Sequence, residues 1–288
     1  MDKYFTVTEA GKNRYRIYDP LGVHMELFVG SEKALLLDTG YGIGDLRHVV
    51  RSITDLPLYI VNSHGHVDHA CGNYQFDEAV YIHPKDIPVC KDHHSVYRKT
   101  QALNYAKNAV DLTTGEKLDI IKDDFDEAAY FGRDIGKLTE VQDGHVFELG
   151  GMNLKVIEVP GHTPGSIGLL YERERVFYAG DAMNDSLWLF LPEACPLSVY
   201  RETLNKAWNL DFDSLIVSHC PVPLNKEVLL DYMDMADHLD YAKGIAFSAP
   251  LVPEATARIC VRNGYTLEDM EKGVSGFASI AINESHLH

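Results

Sequence analysis

Residues 63–70 read Ser-His-Gly-His-Val-Asp-His-Ala, "SHGHVDHA". Three histidines (His64, His66, His69) and one aspartate (Asp68) fall within six residues, with only glycine and valine between them. Neutral imidazoles and a carboxylate side by side are costly to bury unless something pairs with them. What precedes and follows the stretch decides how to read it. It is delivered by "LPLYIVNSH", an apolar run of the kind that forms a buried strand, and chemistry in such folds sits in the loops after strand ends.

The same arrangement recurs along the chain. "LLLDTG" ends at Asp38, "VIEVPGHTPGS" carries His162, "VFYAGDAM" carries Asp181 and "LIVSHC" carries His219. Each is a short strand-like run followed by a metal-capable side chain. Loops at one edge of a sheet can converge on a single point, so these side chains are candidates for one site. Imidazole and carboxylate without thiolate suit zinc, and also iron or manganese.

Around these runs the chain alternates between strand and helix patterns. "YFTV", "RYRIYD", "MELFVG" and "KALLLDTG" read as strands, Asp45 to Ile53 as a helix and "EAVYIHP" as a further strand. Residues 84–139 are polar with weak helical spacing, which suggests an inserted helical segment, either a lid over the site or an ordinary surface helix pair. His93 and His94 fall inside it and are expected to be solvated. "NLKVIEVPG", "GSIGLLYE", "RVFYAGD", "SLIVSHC", "ARICVRNG" and "FASIAINE" read as strands. "SVYRETLNKAWNL" and Lys226 to Lys243 read as helices. No solenoid-period repeat, low-complexity segment or linker stands out, so one domain over residues 1–288 is expected.

Composition narrows the partners. With 43 acidic against 26 basic residues the net charge is −17, which repels nucleic acid and anionic membrane surfaces, and no Lys/Arg run offsets it. No apolar run has the length of a membrane span. The N-terminus lacks an apolar core of signal-peptide length, so a cytoplasmic protein is expected. Five scattered cysteines without a Cys-x-x-Cys pair fit reduced thiols. Cys71 and Cys220, next to site residues, read as small buried hydrophobes.

An early aspartate, then His-x-His-x-Asp-His, then His, Asp and His occur here in order between Asp38 and His219. In this the chain resembles the metallo-beta-lactamase-fold hydrolase superfamily, in particular its glyoxalase-II-like and lactonase-like branches. The resemblance implies a mixed α/β, four-layer αββα sandwich of two mixed sheets flanked by helices. It also implies two divalent metals, most simply zinc. His64, His66 and His162 would hold the first, and Asp68, His69 and His219 the second. Asp181 would bridge them, and Asp38 would support the set by hydrogen bonding. A hydroxide bridging two such metals would attack the carbonyl of a small ester, thioester or lactone, with Asp68 orienting the nucleophile.

The branches differ in what else they carry. Lactonases have a tyrosine three residues after the bridging aspartate; this chain has Asn184, which can still donate to a substrate carbonyl. Trp188 and Phe190 in "NDSLWLF" are candidates for walling an apolar substrate pocket, or for plain core packing. Flavodiiron-like and persulfide-dioxygenase-like oxidoreductases, and phosphodiesterases, are the alternatives. His66 stands where flavodiiron proteins usually have glutamate, and a complete second ligand set argues against one iron. A small-molecule substrate is expected; the oligomeric state stays open, a homodimer included.

Overall fold

The computed structural model describes residues 4–110, 114–123, 125–249 and 251–288. The start of the N-terminal reading and positions 111–113 and 124 of the expected insertion therefore lie outside the described residues. Among those described, no helix is long and apolar enough to cross a membrane. The chain divides into two compact units, Met1–Leu154 and Lys155–His288.

The first unit holds β1 (Thr6–Gly11), β2 (Arg14–Tyr18), β3 (His24–Val29), β4 (Ala34–Leu37), β5 (Leu58–Val61), β6 (Val80–Ile82) and β7 (Leu138–Glu140). They form one sheet in sequence order. β1 to β4 pair antiparallel, and β4 to β7 pair parallel. All four residues of β4, Ala-Leu-Leu-Leu, are buried, as expected of a central strand covered on both faces. The β4–β5 register pairs Leu37 with Val61, and the Asp38 amide continues the ladder to the Val61 carbonyl at 2.8 Å. That register sets the loops after the two strands side by side, so Asp38 meets Ser63.

Helix α1 (Leu46–Ile53) is capped by Asp45, whose side chain accepts from the His48 amide, and it buries Leu46, Val49 and Val50 on one face. A single turn, α2 (Val67–Ala70), carries Asp68 and His69. Residues 84–139 hold α3 (Ile87–His93), α4 (Val96–Asn108) and α5 (Glu127–Gly132), and then enter β7. The weak periodicity of this stretch has a physical cause. The buried stripe of α4 is Lys99, Ala102, Leu103 and Ala106, so a lysine occupies a core-facing position. Lys99 is 1% exposed; its Nζ donates to the Tyr130 carbonyl at 2.7 Å and lies 2.8 Å from His94 Nε2. β8 (Val146–Glu148) is the last full strand before the boundary.

The second unit contains β9 (Asn153–Glu158), which starts at the boundary, β10 (Ile167–Tyr171), β11 (Val176–Tyr178), β12 (Ser186–Leu189), β13 (Ser214–Ile216), β14 (Leu224–Asn225), β15 (Ile245–Ala249), β16 (Val252–Val261) and β17 (Ser279–Ile282). Five of these share a sheet in the order β14-β13-β11-β10-β9, and the other four form a sheet in the order β12-β17-β16-β15. Helices α6 (Leu197–Trp208), α7 (Val228–Asp237) and α8 (Leu267–Glu271) complete it. β12 shows why that sheet is two-faced. Leu187 and Leu189 enter the main core with residues of α6 and α7, while Trp188 and Phe190 join Phe247, Ile259 and Ala281 on the other side.

One helix is shorter than the sequence pattern suggests. The segment Lys226 to Lys243 is α-helical only over Val228–Asp237. Asp240 turns extended and opens a separate 3₁₀ turn, Tyr241–Lys243, its carboxylate paired with Lys243 at 2.9 Å. The aspartate competes locally with the helix it was expected to continue.

Candidate metal centre

In the first unit the site is organised by Asp38. It follows β4 with φ of 64°, in the left-handed region, and is 1% exposed. Its Oδ1 accepts from the Ser63 amide at 2.7 Å; its Oδ2 accepts from the Ser63 hydroxyl at 2.7 Å and from His69 Nδ1 at 2.9 Å. Because the Ser63 hydroxyl donates to Asp38, its oxygen accepts from His64 Nδ1, 3.0 Å away. His64 and His69 therefore carry their protons on Nδ1 and present Nε2 lone pairs, the form a cation requires. His64 sits 4.6 Å from His66 and 4.1 Å from His69 between ring centroids, and Asp68 Oδ2 is 3.4 Å from His69 Nε2. The first unit thus brings His64, His66, Asp68, His69 and Asp38 together.

The loop is held from behind by the segment that follows β6. The Gly65 amide donates to Asp86 Oδ2 at 2.7 Å, and Asp86 is fully buried. A Cβ at position 65 would sit 2.5 Å from the Cys90 nitrogen, so only glycine lets the α3 backbone pass this close. The Val67 amide donates to His93 Nδ1 at 3.1 Å, and the His93 ring stacks on His66 at 4.5 Å and 26°. The expectation that His93 is solvated is thereby corrected: it is 5% exposed, and hydrogen bonding plus ring stacking against the site loop bury it. His94 is half-buried, with Nε2 against Lys99 and 3.2 Å from the Arg133 carbonyl. A His93→Ala variant should lower metal affinity about 10–100-fold, the usual cost of losing an outer-shell partner. Competition with a chromophoric chelator measures this; an unchanged affinity would refute a positioning role for His93.

In the second unit His162 lies in the loop between the antiparallel strands β9 and β10. Its Nδ1 donates to the Trp188 carbonyl of β12 at 2.8 Å, which again turns Nε2 outward. Asp181 and His219 are joined by register. β11 and β13 run parallel with Tyr178 opposite Ile216, and each site residue lies three positions beyond its strand end. The result is 3.1 Å between Asp181 Oδ2 and His219 Nε2, with His162 Nε2 at 3.8 Å from the same oxygen. His162 and Asp181 are buried, whereas the His219 side chain is 36% exposed.

Other expected residues fall as follows. Asn184 is half-buried and borders a small void with Leu187, Tyr200, Tyr232 and Met235. Trp188, Phe190 and Phe247 form a mutual aromatic cluster with centroids 5.1–5.7 Å apart. Cys71 is buried, and that burial pushes its thiol up to about 11, which keeps it inert near neutral pH. Sequence reasoning missed Ser63, Asp86, His93 and the Trp188 carbonyl as supports. Only Ser63, adjacent to His64, offered a local signal.

Against this geometry, a family model described as the metallo-beta-lactamase superfamily matches residues 18–219. The chain belongs to that superfamily. The match runs through every candidate ligand and ends on His219. Among curated metallo-beta-lactamase relatives, the human acyl-coenzyme A thioesterase MBLAC2 is 29% identical over 179 residues, 57% of this chain and 59% of that protein. The bovine acyl-coenzyme A thioesterase MBLAC2 is 28% identical over the same share. The matched stretch thus spans less than two thirds of these relatives. Among solved structures, a metallo-beta-lactamase from Pontibacter korlensis superposes with a TM-score of 0.55 at 15% identity, covering 81% of this chain and 99% of that one. The sec-alkylsulfatase Pisa1 from Pseudomonas sp. reaches 0.62 at 13% identity, covering 86% and 46%. These likenesses establish the mixed α/β metallo-beta-lactamase fold.

Proposed function

We propose that the chain is a hydrolase with a binuclear metal centre, and that it acts on acyl thioesters, with small esters and lactones as neighbouring carbonyl substrates. In this reading His64, His66 and His162 would hold one divalent ion, Asp68, His69 and His219 would hold the other, and Asp181 would be shared by the two sets. The observation that carries it is the tautomer pattern. His64, His69 and His162 each commit Nδ1 to an oxygen acceptor, at 3.0, 2.9 and 2.8 Å, and so aim an unprotonated Nε2 away from their supports. Buried imidazoles arranged this way, beside carboxylates and without thiolate ligands, fit zinc, and also iron or manganese.

Two such ions supply Lewis acidity and bring the pKa of a water toward neutrality. The chain's own residues do the rest. Asp68, with its side chain 14% exposed, accepts a proton from the nucleophile and orients it. Asn184 donates to the substrate carbonyl. A thiolate leaves without strong protonation, because its conjugate acid is far more acidic than an alcohol, so the site needs no dedicated acid. The relatives whose name states acyl-coenzyme A thioesterase support the thioester choice.

A panel of acyl thioesters, esters, lactones and phosphodiesters, run on protein of measured metal content, tests the reading. The expected result is about two zinc per chain, as in binuclear hydrolases, and fastest turnover of thioesters. Loaded protein that hydrolyses none of them, or iron-loaded protein that consumes oxygen, overturns it.

A further inference from the structure

The first unit contains a cavity of about 570 Å³ that none of the site residues lines. Its volume is that of a small-molecule site. Its walls include Arg47, Lys122 and Arg133 together with Tyr4, Tyr74 and Phe125. In a chain with net charge −17, three cations converging on one concavity depart from the surrounding surface.

The two acids at this cavity are committed elsewhere. Asp45 Oδ1 accepts from the His48 amide at 2.9 Å, and Asp126 Oδ1 accepts from the Ala129 amide at 2.8 Å; both cap helices. The cations keep capacity. Arg47 uses Nη1 on Asp77 at 2.6 Å and on the Gln75 carbonyl at 3.2 Å, which leaves other donors of a five-donor fork. Lys122 is exposed and paired with Asp119 at 2.8 Å, an ion pair of the kind worth little in water. Arg133 is exposed, and among the described residues no carboxylate pairs with it. Guanidinium forks match phosphate oxygens, and aromatic faces accept a flat base. Phosphates and a base in one ligand describe a phosphorylated nucleotide.

We propose that this cavity receives the phosphorylated adenosine end of a coenzyme A thioester, which makes it the specificity pocket for the carrier. The inference rests on the thioester reading above and adds where the carrier docks. The loop after β4 links the two places: the Thr39 amide donates to the His69 carbonyl at 2.7 Å, and the hydroxyl of Tyr74, on the cavity wall, donates to the Gly42 carbonyl at 2.8 Å. The pantetheine arm is the flexible tether that would run from the cavity toward Asp68.

Two measurements on the full chain decide it. Calorimetry with adenosine 3′,5′-bisphosphate should show binding, weakened about tenfold or more in Arg133→Glu and Lys122→Glu, since each replaces attraction by repulsion. Kinetics should compare an acyl-coenzyme A with the same acyl group on N-acetylcysteamine, which lacks the nucleotide. The ratio of the two KM values should rise about tenfold in the same variants, with kcat for acyl-coenzyme A held. No bisphosphate binding to the unaltered chain, or an unchanged KM ratio, overturns the proposal. ATP binding as tightly as the bisphosphate, with that ratio unchanged, assigns the cavity to a free nucleotide and likewise overturns it. If neither thioester is hydrolysed, the functional reading fails, and bisphosphate binding still decides the cavity by itself.

Discussion

In an Asp181→Ala variant, bound metal should fall from about two ions per chain to one or fewer, and thioester turnover should fall about 1,000-fold or more. Metal catalysis supplies several kcal/mol of transition-state stabilisation, and each 1.36 kcal/mol is a factor of ten. The size of the effect follows from where Asp181 stands. Its Oδ2 is 3.1 Å from His219 Nε2 and 3.8 Å from His162 Nε2, so one oxygen serves both neighbours. The fold should survive the change. His162 stays anchored to the Trp188 carbonyl, and the strand pairing that positions residue 181 is made by backbone atoms. Elemental analysis, turnover and thermal melting on one preparation check all three statements. Retained metal and activity would show that the ligand assignment is wrong; loss of activity together with collapse of the melt would show that Asp181 holds the fold instead. His66→Ala should follow the same pattern, with the added loss of its stack on His93.

The features legible in the sequence were those that recur at fixed positions relative to strands. β4, β5 and β10 are nearly continuous apolar runs because their positions are buried on both faces. The candidate ligands follow such runs at short intervals. What stayed hidden depends on tertiary partners. His93 sits in a polar stretch, and nothing local says that a backbone amide 26 positions earlier will donate to it. Asp86 is likewise buried by its bond to Gly65, 21 positions away. α4 read as weakly helical because Lys99 replaces an apolar residue in its buried stripe, a substitution made tolerable by the Tyr130 carbonyl. β7 and β8 are three residues each, and β14 is two, too short for any period to show. β12 was hidden differently: its Trp188, with Phe190 just beyond it, suggested a pocket wall, while the alternation with Leu187 and Leu189 that marks a strand spans only four residues.

Asp38 is where sequence and structure agree on a supporting role and where a second large effect is expected. Its carboxylate satisfies the Ser63 amide, the Ser63 hydroxyl and the His69 ring in a fully buried place. In Asp38→Ala those donors lose their acceptor, at about 1–3 kcal/mol for each group left unsatisfied. Alanine also tolerates the φ of 64° less well than aspartate does. Partial relaxation of the loop reduces the sum, so a net loss of about 3–5 kcal/mol is expected, the range for breaking a buried network. At about 2–4 °C per kcal/mol for a domain of this size, the melting temperature drops by roughly 10 °C. Asp38→Asn separates support of the fold from support of the site. Asparagine keeps the side-chain shape and accepts the left-handed backbone, so the melt should shift less. Its amide offers one acceptor oxygen where the carboxylate offered two; with that oxygen kept on the Ser63 amide, the NH₂ takes the place of Oδ2 and faces both the Ser63 hydroxyl and His69 Nδ1. His69 can relieve that clash only by moving its proton to Nε2, the atom that has to bind the cation. Metal affinity should therefore fall about 10–100-fold in the asparagine variant while most of the stability remains. If both variants bind metal as the unaltered chain does, the hydrogen bonds from Asp38 do not set the ring tautomers, and the argument for unprotonated Nε2 atoms loses its foundation.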